Sequence, residues 1–168
     1  MRKILLNVAV TLDGFIAGPK GEYDWCFTDD DYGMTEFMAS VDTILMGRKS
    51  FDLVQQYGPP YPDKEIIVVS STLKETPFEN VVIVNDDLPR YVSNLVKSKG
   101  KNIWLFGGAT VAGVLFERNL IDEMHLAIHP IVLGNGISLF KKGVRRSLRL
   151  SRSITYPSGL VQLIYNKI

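Results

Sequence analysis

Short apolar runs that alternate with helical patterns are the feature of this sequence that most restricts its fold. Most of these runs lack the polar alternation of a half-exposed strand, which is typical of strands covered on both faces. Because strands separated by helices imply crossover connections, the pattern favours a largely parallel sheet. The predicted strands are Ile4–Val10, Thr43–Met46, Ile66–Val69, Val81–Val84, Ile103–Phe106, Met124–Ile128 and Leu160–Tyr165.

Helical patterns occupy four of the gaps between those runs. Pro89 and Gly100 suit the start and the end of one of the helices. After Met124–Ile128 the remaining signals are those of strands and turns, so antiparallel strands are expected to finish the sheet. The sequence therefore predicts a single α/β domain over residues 1–168. The predicted helices are Asp31–Ala39, Ser50–Gln56, Pro89–Ser98 and Thr110–Arg118.

The composition excludes several classes of protein. A chain of 168 residues with 46% hydrophobic and 22% charged residues is typical of one globular domain. The formal net charge is +1, so no overall field favours nucleic acid or an acidic membrane as a partner. Cys26 is the single cysteine, which excludes an intramolecular disulfide and a CxxC-type metal site. No apolar run approaches the roughly 18 residues that span a bilayer, and we expect a cytoplasmic protein without a metal ion.

Two junctions, at which a strand ends, glycine follows and a helix begins, have the features of a ligand site. The first covers Gly47–Ser50 and the second Gly107–Thr110. A helix N-terminus presents unpaired N–H groups and partial positive charge, which attract phosphate, and glycine lets a ligand approach the backbone. Arg48 and Lys49 add the charged partners that a terminal phosphate needs. Two such junctions on one sheet suit a dinucleotide, although the same glycines also serve as ordinary turn residues.

Six ordered segments of the chain carry a resemblance to a known family. They are Val10–Ala17, Asp42–Phe51, Ile67–Ser71, Phe106–Glu117, Leu120–Glu123 and Pro130–Phe140. Together they resemble the dihydrofolate reductase superfamily. They are most similar to the reductase domain of bacterial riboflavin-biosynthesis proteins, the RibD C-terminal domain, and to its stand-alone relatives. Each segment is weakly specific alone, but the ordered set covers nearly the whole chain.

That resemblance implies a twisted, mostly parallel sheet that binds NADPH and supports hydride transfer to a small heterocycle. Ala9 and Ile16 would line the nicotinamide pocket, and Arg48 would contact the 2′-phosphate. The glycine pair Gly107–Gly108, often joined by a cis peptide in the relatives, would cradle the pyrophosphate. An arginine near serine hydroxyls also suits an extra phosphate better than a bare ribose diol. The implied cofactor-binding residues are Ala9, Ile16, Gly47, Arg48, Lys49, Ser50, Ser70, Ser71, Gly107, Gly108, Ala109 and Thr110.

Asp31 and Trp25 are the candidate catalytic residues. The cofactor carries the hydride, but reduction of a C=N bond also needs a proton donor. In dihydrofolate reductases an acidic residue on the first long helix serves the substrate, and ungapped counting back from Gly47 places Asp31 there; the alternative is a helix cap. Trp25 lies in the Gly18–Phe27 loop, which resembles the mobile loop over the nicotinamide. The alternative is an aromatic side chain that pins this loop to the core.

The C-terminal third is locally basic, because it contains Arg145, Arg146, Arg149 and Arg152. Solvated strand ends are the simpler interpretation, and a site for a phosphorylated substrate is the other. In the riboflavin-pathway domain a D-D-P-x-L-T-x-R stretch usually follows the second strand region. Here the segment Asp52–Pro62 has neither the acidic pair nor the arginine, so the substrate stays open.

Three functions remain open on the sequence. The first is NADPH-dependent reduction of a small pterin- or pyrimidine-like heterocycle. The second is the 5-amino-6-(5-phosphoribosylamino)uracil reductase reaction of riboflavin biosynthesis, and the third is NADPH binding without catalysis. In each case the partner is a small molecule. The pairing common among the relatives also predicts a homodimer, for which Ile137–Phe140 offers apolar contact surface.

Overall fold

The computed structural model describes residues 1–140, 143 and 145–168, which form strands and helices in alternation. The strands are β1 (Ile4–Thr11), β2 (Phe15–Ala17), β3 (Val41–Gly47), β4 (Glu65–Val69), β5 (Val81–Val84), β6 (Asn102–Gly107), β7 (Glu123–His129), β8 (Ile137–Ser138), β9 (Leu148–Thr155) and β10 (Val161–Lys167). The α-helices are α1 (Met34–Ser40), α2 (Arg48–Val54), α3 (Leu88–Leu95) and α4 (Ala109–Glu117). A 3-10 turn over Gln55–Tyr57 follows α2.

The central sheet has eight strands in the order β5-β4-β3-β6-β1-β7-β10-β9. The six strands from β5 to β7 run parallel to one another. In contrast, β10 pairs antiparallel with both β7 and β9. The predicted α/β class, a mostly parallel sheet with an antiparallel C-terminal end, is therefore confirmed. Strands β2 and β8 form a small antiparallel pair outside the main sheet.

Two apolar cores cover the two faces of this sheet. Leu105 packs with Leu115 of α4 in one core, whereas Trp104 packs with Phe37 of α1 and Phe51 of α2 in the other. Neighbouring residues of a strand point to opposite faces, so a strand buried on both sides must be apolar at every position. This is why β3, β4 and β6 read in the sequence as unbroken apolar runs.

All four helices begin at residues other than those predicted, and the shifts of α1 and α2 bear on the site. Helix α1 begins at Met34 rather than Asp31, because Tyr32 and Gly33 adopt left-handed backbone conformations with φ of 48° and 79°. Helix α2 begins at Arg48 rather than Ser50, immediately after the last residue of β3. Arg48 therefore lies in the first turn of a helix.

Strand β9 was not predicted as a separate element. Most of its residues are exposed, and it pairs only with β10 because it forms the edge of the sheet. An edge strand has no second neighbour to cover it, so it lacks the apolar run that marks the central strands. Within the described ranges, no helix is long and apolar enough to cross a membrane.

Candidate functional site

A cleft of about 740 Å³ opens at the carboxyl ends of β3, β4, β5 and β6. Strand β3 leads into α2 on one face of the sheet, and its neighbour β6 leads into α4 on the opposite face. Connections that diverge in this way leave a crevice between adjacent strands, where ligands of open α/β sheets bind. The predicted cofactor-binding residues that line the cleft are Ile16, Gly47, Arg48, Lys49, Ser50, Ser70, Ser71, Gly108, Ala109 and Thr110.

The Arg48 side chain is oriented by a neighbour on its own helix. Its Nε donates a hydrogen bond of 2.7 Å to Oδ1 of Asp52, one turn later. The terminal nitrogens Nη1 and Nη2 have no partner among the described residues. The guanidinium therefore keeps the two amino groups that bind phosphate oxygens in pairs.

The glycine pair that ends β6 brings the second junction up to the first. Gly107 and Gly108 have φ of 128° and 88°, values that side-chain-bearing residues rarely adopt. A Cβ atom on Gly108 would lie 3.5 Å from Oγ of Ser50 and 3.9 Å from the backbone nitrogen of Gly47. The peptide bond between the two glycines is trans, unlike the cis form common in the relatives. A Cβ on Gly108 would therefore be in van der Waals contact with the first junction, so the two junctions lie close together.

The two predicted serines differ in what their hydroxyl groups do. Ser70 is buried, and its Oγ accepts hydrogen bonds from the backbone N–H groups of Thr72 and Leu73. Ser71 is exposed, and its side chain makes no hydrogen bond within the described part of the chain. Ser70 therefore shapes the loop after β4, whereas Ser71 offers a free hydroxyl to a ligand.

The region predicted to hold the nicotinamide lies at the end of β1. Ala9 does not line the cleft itself, and neither does Gly107. Ala9 pairs with Ala127 of β7, so two short side chains meet on one face of the sheet. Trp25 of the neighbouring loop places its ring edge-on against His129, with 5.2 Å between the ring centroids. The Trp25 indole N–H is buried and has no hydrogen-bond partner in the described structure.

His129 ties the Gly18–Phe27 loop to β7. It is 3% exposed, and its Nε2 accepts a 3.1 Å hydrogen bond from the backbone N–H of Phe27. Its Nδ1 lies 3.0 Å from the carbonyl oxygen of Ala127. Since Nε2 accepts, the neutral ring carries its proton on Nδ1, which donates to Ala127. No local pattern marks this role, because the partner Phe27 is distant in the sequence.

The burial of His129 predicts that the protein is less stable in mild acid than at neutral pH. Burial lowers the pKa of His129 below its usual value near 6.5. The unfolded chain then binds the proton first, so the stabilisation is complete above about pH 6.5 and is lost as the pH falls. We expect the thermal unfolding midpoint to fall more between pH 7 and pH 5 in the wild type than in His129→Leu. Equal pH dependence of the two proteins would contradict this assignment.

Asp31 lies outside the cleft and is exposed. Its carboxylate accepts hydrogen bonds from the backbone N–H and the hydroxyl of Thr35, at 3.0 Å and 2.6 Å. Asp31 lies two residues before Gly33, the N-cap of α1, and its bonds to Thr35 tie it to the first turn of the helix, close to the capping role of the alternative interpretation. The Thr35 hydroxyl also lowers the pKa of Asp31, so the carboxyl group is ionised near neutral pH.

The Cys26 thiol, in the Gly18–Phe27 loop, is not activated as a nucleophile. Burial, with the charge of Asp24 adding to it, raises the pKa of the Cys26 thiol to about 11, so this thiol stays protonated. Over the residues that the structure describes, no group of three or more His, Cys, Asp or Glu side chains could hold a metal ion.

The basic residues of the C-terminal third point to different parts of the molecule. Arg146 donates a 2.8 Å hydrogen bond to the carbonyl oxygen of Glu117 at the end of α4. Arg149 and Arg152 lie on the edge strand β9, and Arg152 lines a groove beside α1. These positions agree with the simpler interpretation of the basic residues, in which they lie at solvated strand ends.

Comparison with known proteins places the chain in a family. The uncharacterized protein YyaP of Bacillus subtilis (strain 168) is 42% identical over 178 aligned residues, which cover 98% of this chain and 95% of that protein. A putative riboflavin biosynthesis protein from Shewanella sp. PV-4 has a crystal structure that superposes with a TM-score of 0.85, at 29% identity and 99% coverage of both chains.

A third similar protein is an enzyme whose name gives two activities. The diaminohydroxyphosphoribosylaminopyrimidine deaminase/5-amino-6-(5-phosphoribosylamino)uracil reductase of Thermotoga maritima superposes with a TM-score of 0.77 at 14% identity, and 57% of its chain is covered. These superpositions confirm the predicted dihydrofolate reductase-like fold. A sequence profile described as the RibD C-terminal domain matches residues 2–162. With that match over almost its whole length, the chain belongs to the RibD C-terminal domain family.

Proposed function

We propose that the protein is an NADPH-dependent reductase that transfers a hydride to a small pterin- or pyrimidine-like heterocycle. The observation that carries this proposal is the single cleft that gathers Arg48, Ser71 and Gly108 from the ends of three parallel strands. A dinucleotide needs separated phosphate sites in one crevice, and an arginine at one end of it favours the extra phosphate of NADPH. Membership of a family that contains reductases supports the same assignment.

In this proposal NADPH, when bound, supplies the hydride, and the chain binds and orients it. Arg48 and Ser71 hold the adenosine end, with the 2′-phosphate against the guanidinium. The first turn of α4, which begins directly after Gly108, presents backbone N–H groups to the pyrophosphate. Ala9 and Ile16 leave a shallow apolar surface for the nicotinamide ring.

The Gly18–Phe27 loop excludes water from the reacting ring in this proposal. Trp25 and Phe27 both pack against His129, at centroid distances of 5.2 Å and 5.0 Å, so the loop is held over β7. A loop in this position separates the nicotinamide region from solvent. In this proposal Trp25 is the residue of the loop that faces the cofactor. Asp31 is the candidate acidic residue that acts on the substrate.

The test is a calorimetric titration of the purified protein with NADPH and, separately, with NADH. We expect NADPH to bind more tightly, because NADH lacks the 2′-phosphate that Arg48 would hold. NADPH oxidation is then followed in the presence of a panel of hydride acceptors, namely pterins, dihydropterins and amino-pyrimidines. If neither nucleotide binds, the proposed function is wrong.

A second candidate, the 5-amino-6-(5-phosphoribosylamino)uracil reductase reaction, draws support from the full-length likeness to a putative riboflavin biosynthesis protein. Rescue of a bacterial strain that lacks this reductase would favour it over the first candidate. NADPH binding without oxidation by any compound of the panel would favour the non-catalytic alternative. A cytoplasmic location and a homodimer stay predictions, and sedimentation of the purified protein tests the second of these.

A further inference from the structure

The Gly18–Phe27 loop connects the cleft at the strand ends with strand β7. Near its start, Gly21 lines the cleft. At its end, Trp25 and Phe27 pack on the ring of His129, the last residue of β7. A segment that touches both places controls whether this side of the cleft is open, so whatever holds the loop in place also acts on a ligand in the cleft.

One hydrogen bond joins the end of the loop to the rest of the fold. It runs from the backbone N–H of Phe27 to Nε2 of His129. The other described hydrogen bonds of residues 19–27 stay inside the loop, such as that from the N–H of Cys26 to the carbonyl oxygen of Tyr23. The attachment to β7 therefore depends on one acceptor nitrogen, together with the two aromatic contacts.

The attached position of the loop also leaves a donor unpaired. The indole N–H of Trp25 is buried and has no hydrogen-bond partner in the described structure. A buried donor without an acceptor is unfavourable, so the loop is held in place against this penalty. The balance between the attached and the released loop is therefore sensitive to the bond between Phe27 and His129.

Protonation removes the acceptor on His129. Its Nδ1 already donates to the carbonyl oxygen of Ala127, so an added proton binds to Nε2. The imidazolium then carries an N–H on both nitrogens, and its Nε2–H faces the N–H of Phe27. Two donors that face each other repel, and a charged ring between Trp25 and Phe27 is costly in a buried place. Both effects favour release of the loop.

No charged side chain of the described residues is bonded to the His129 ring. The titratable side chains of the segments around the ring are those of Asp13, Tyr23, Asp24, Cys26, Tyr32, His125 and Tyr156. Asp13 bonds to the hydroxyl of Thr11, which lies opposite His129 in the sheet. His125, on the same face of β7, is paired with Glu123. Burial lowers the pKa of His129, so the ring is neutral at pH 7 and becomes charged only in acid.

We propose that His129 is a positioning residue that acts as the latch of the Gly18–Phe27 loop. Its neutral ring holds the loop against β7, and protonation of Nε2 releases the loop and opens the adjacent side of the cleft. The latch itself depends on the contacts of the loop, whereas its effect on nucleotide binding rests on the proposed function.

The test measures how strongly acrylamide quenches the fluorescence of Trp25 from pH 7 down to pH 4.5, in the wild type, His129→Gln and His129→Leu. Trp104, the second tryptophan, is buried and adds a constant background. We expect quenching of the wild type to increase in acid. In His129→Gln the amide oxygen can replace Nε2 as acceptor but does not titrate, so quenching should stay low throughout. His129→Leu has no acceptor, so its quenching should be high at every pH.

Two controls separate the latch from general unfolding in acid. His125→Gln removes the other histidine of the chain and should titrate as the wild type does. The far-UV circular dichroism should stay constant over the pH range in which quenching rises. The inference is overturned if quenching of the wild type does not change with pH, if it changes equally in His129→Gln, or if it rises only as the circular dichroism is lost. If His129→Leu does not fold, His129→Gln decides the comparison.

Calorimetric titration with NADP⁺ at pH 7 and pH 5 tests the effect on the cleft. The lost hydrogen bond predicts about 5-fold weaker binding at pH 5 in the wild type. Phosphate monoesters titrate at about pH 6, so the effect is taken as the difference between the wild type and His129→Gln. An equal loss of affinity in both proteins overturns the link between the latch and the cleft. Absence of NADP⁺ binding at pH 7 instead overturns the proposed function, and the quenching result still decides the latch.

Discussion

Replacement of Arg48 by alanine is expected to weaken NADPH binding about 10- to 100-fold and to leave NADH binding nearly unchanged. The guanidinium is anchored through Nε to Asp52, Arg48 lines the cleft, and its two terminal nitrogens have no partner among the described residues. Charge-assisted hydrogen bonds of this kind contribute about 1.5–3 kcal/mol. NADH has no 2′-phosphate, so it loses no such contact. Calorimetric titration of each variant with both nucleotides measures the change in preference.

Arg90→Ala is the matched control for the Arg48 substitution. Arg90 is an exposed arginine of α3 that does not line the cleft, so its removal lowers the net charge equally. We expect Arg90→Ala to bind both nucleotides as the wild type does. An equal loss of NADPH and NADH binding in Arg48→Ala would show that Arg48 supports the cleft as a whole rather than the 2′-phosphate.

Replacement of Gly108 by alanine is expected to reduce both stability and cofactor binding. The backbone conformation, with φ of 88° and ψ of 110°, is one that only glycine adopts without strain, and alanine there costs about 1–3 kcal/mol. The added Cβ would also lie 3.5 Å from Oγ of Ser50 and 3.9 Å from the backbone nitrogen of Gly47, beside the backbone proposed to hold the pyrophosphate. We therefore expect NADPH binding to weaken by at least about 10-fold. Thermal unfolding and calorimetric titration measure the two effects.

Gly58→Ala distinguishes the backbone effect from the ligand effect. Gly58 also has a positive φ, 110°, and a Cβ on it would meet no atom within 4 Å. It lies outside the cleft, so its replacement should lower stability without changing the affinity for NADPH. The pyrophosphate assignment fails if Gly108→Ala and Gly58→Ala bind NADPH equally well.

Most of the correct predictions of strands and of strand–helix junctions depend on residues that are close together in the sequence. The apolar runs of β3 and β6 mark central strands because both faces of each strand are buried. The junctions after those strands, at Gly47 and Gly107, were predicted because glycine and the adjacent basic residues are local signals. The early start of α2 was not predicted, and it sets Arg48 one helical turn before Asp52.

The edge of the sheet and the start of α1 could not be predicted in the same way. Strand β9 lies at the edge of the sheet, and most of its side chains are exposed to solvent. It therefore carries arginines and has no apolar run that would mark it in the sequence. Helix α1 starts late because of the left-handed Tyr32 and Gly33. Counting from Gly47 therefore put Asp31 inside the helix, whereas the structure puts it just before the helix, where it bonds to Thr35.

The sequence by itself determined the order of the central strands and the helices, the parallel character of the sheet and the two strand–glycine–helix junctions. These features depend on local propensity and on the burial of each strand. Only the tertiary structure decided that His129 holds Phe27, that Ser70 is structural, and that the Ser71 hydroxyl has no partner among the described residues. Contacts of this kind depend on strand register and packing between distant parts of the chain, which no local pattern encodes.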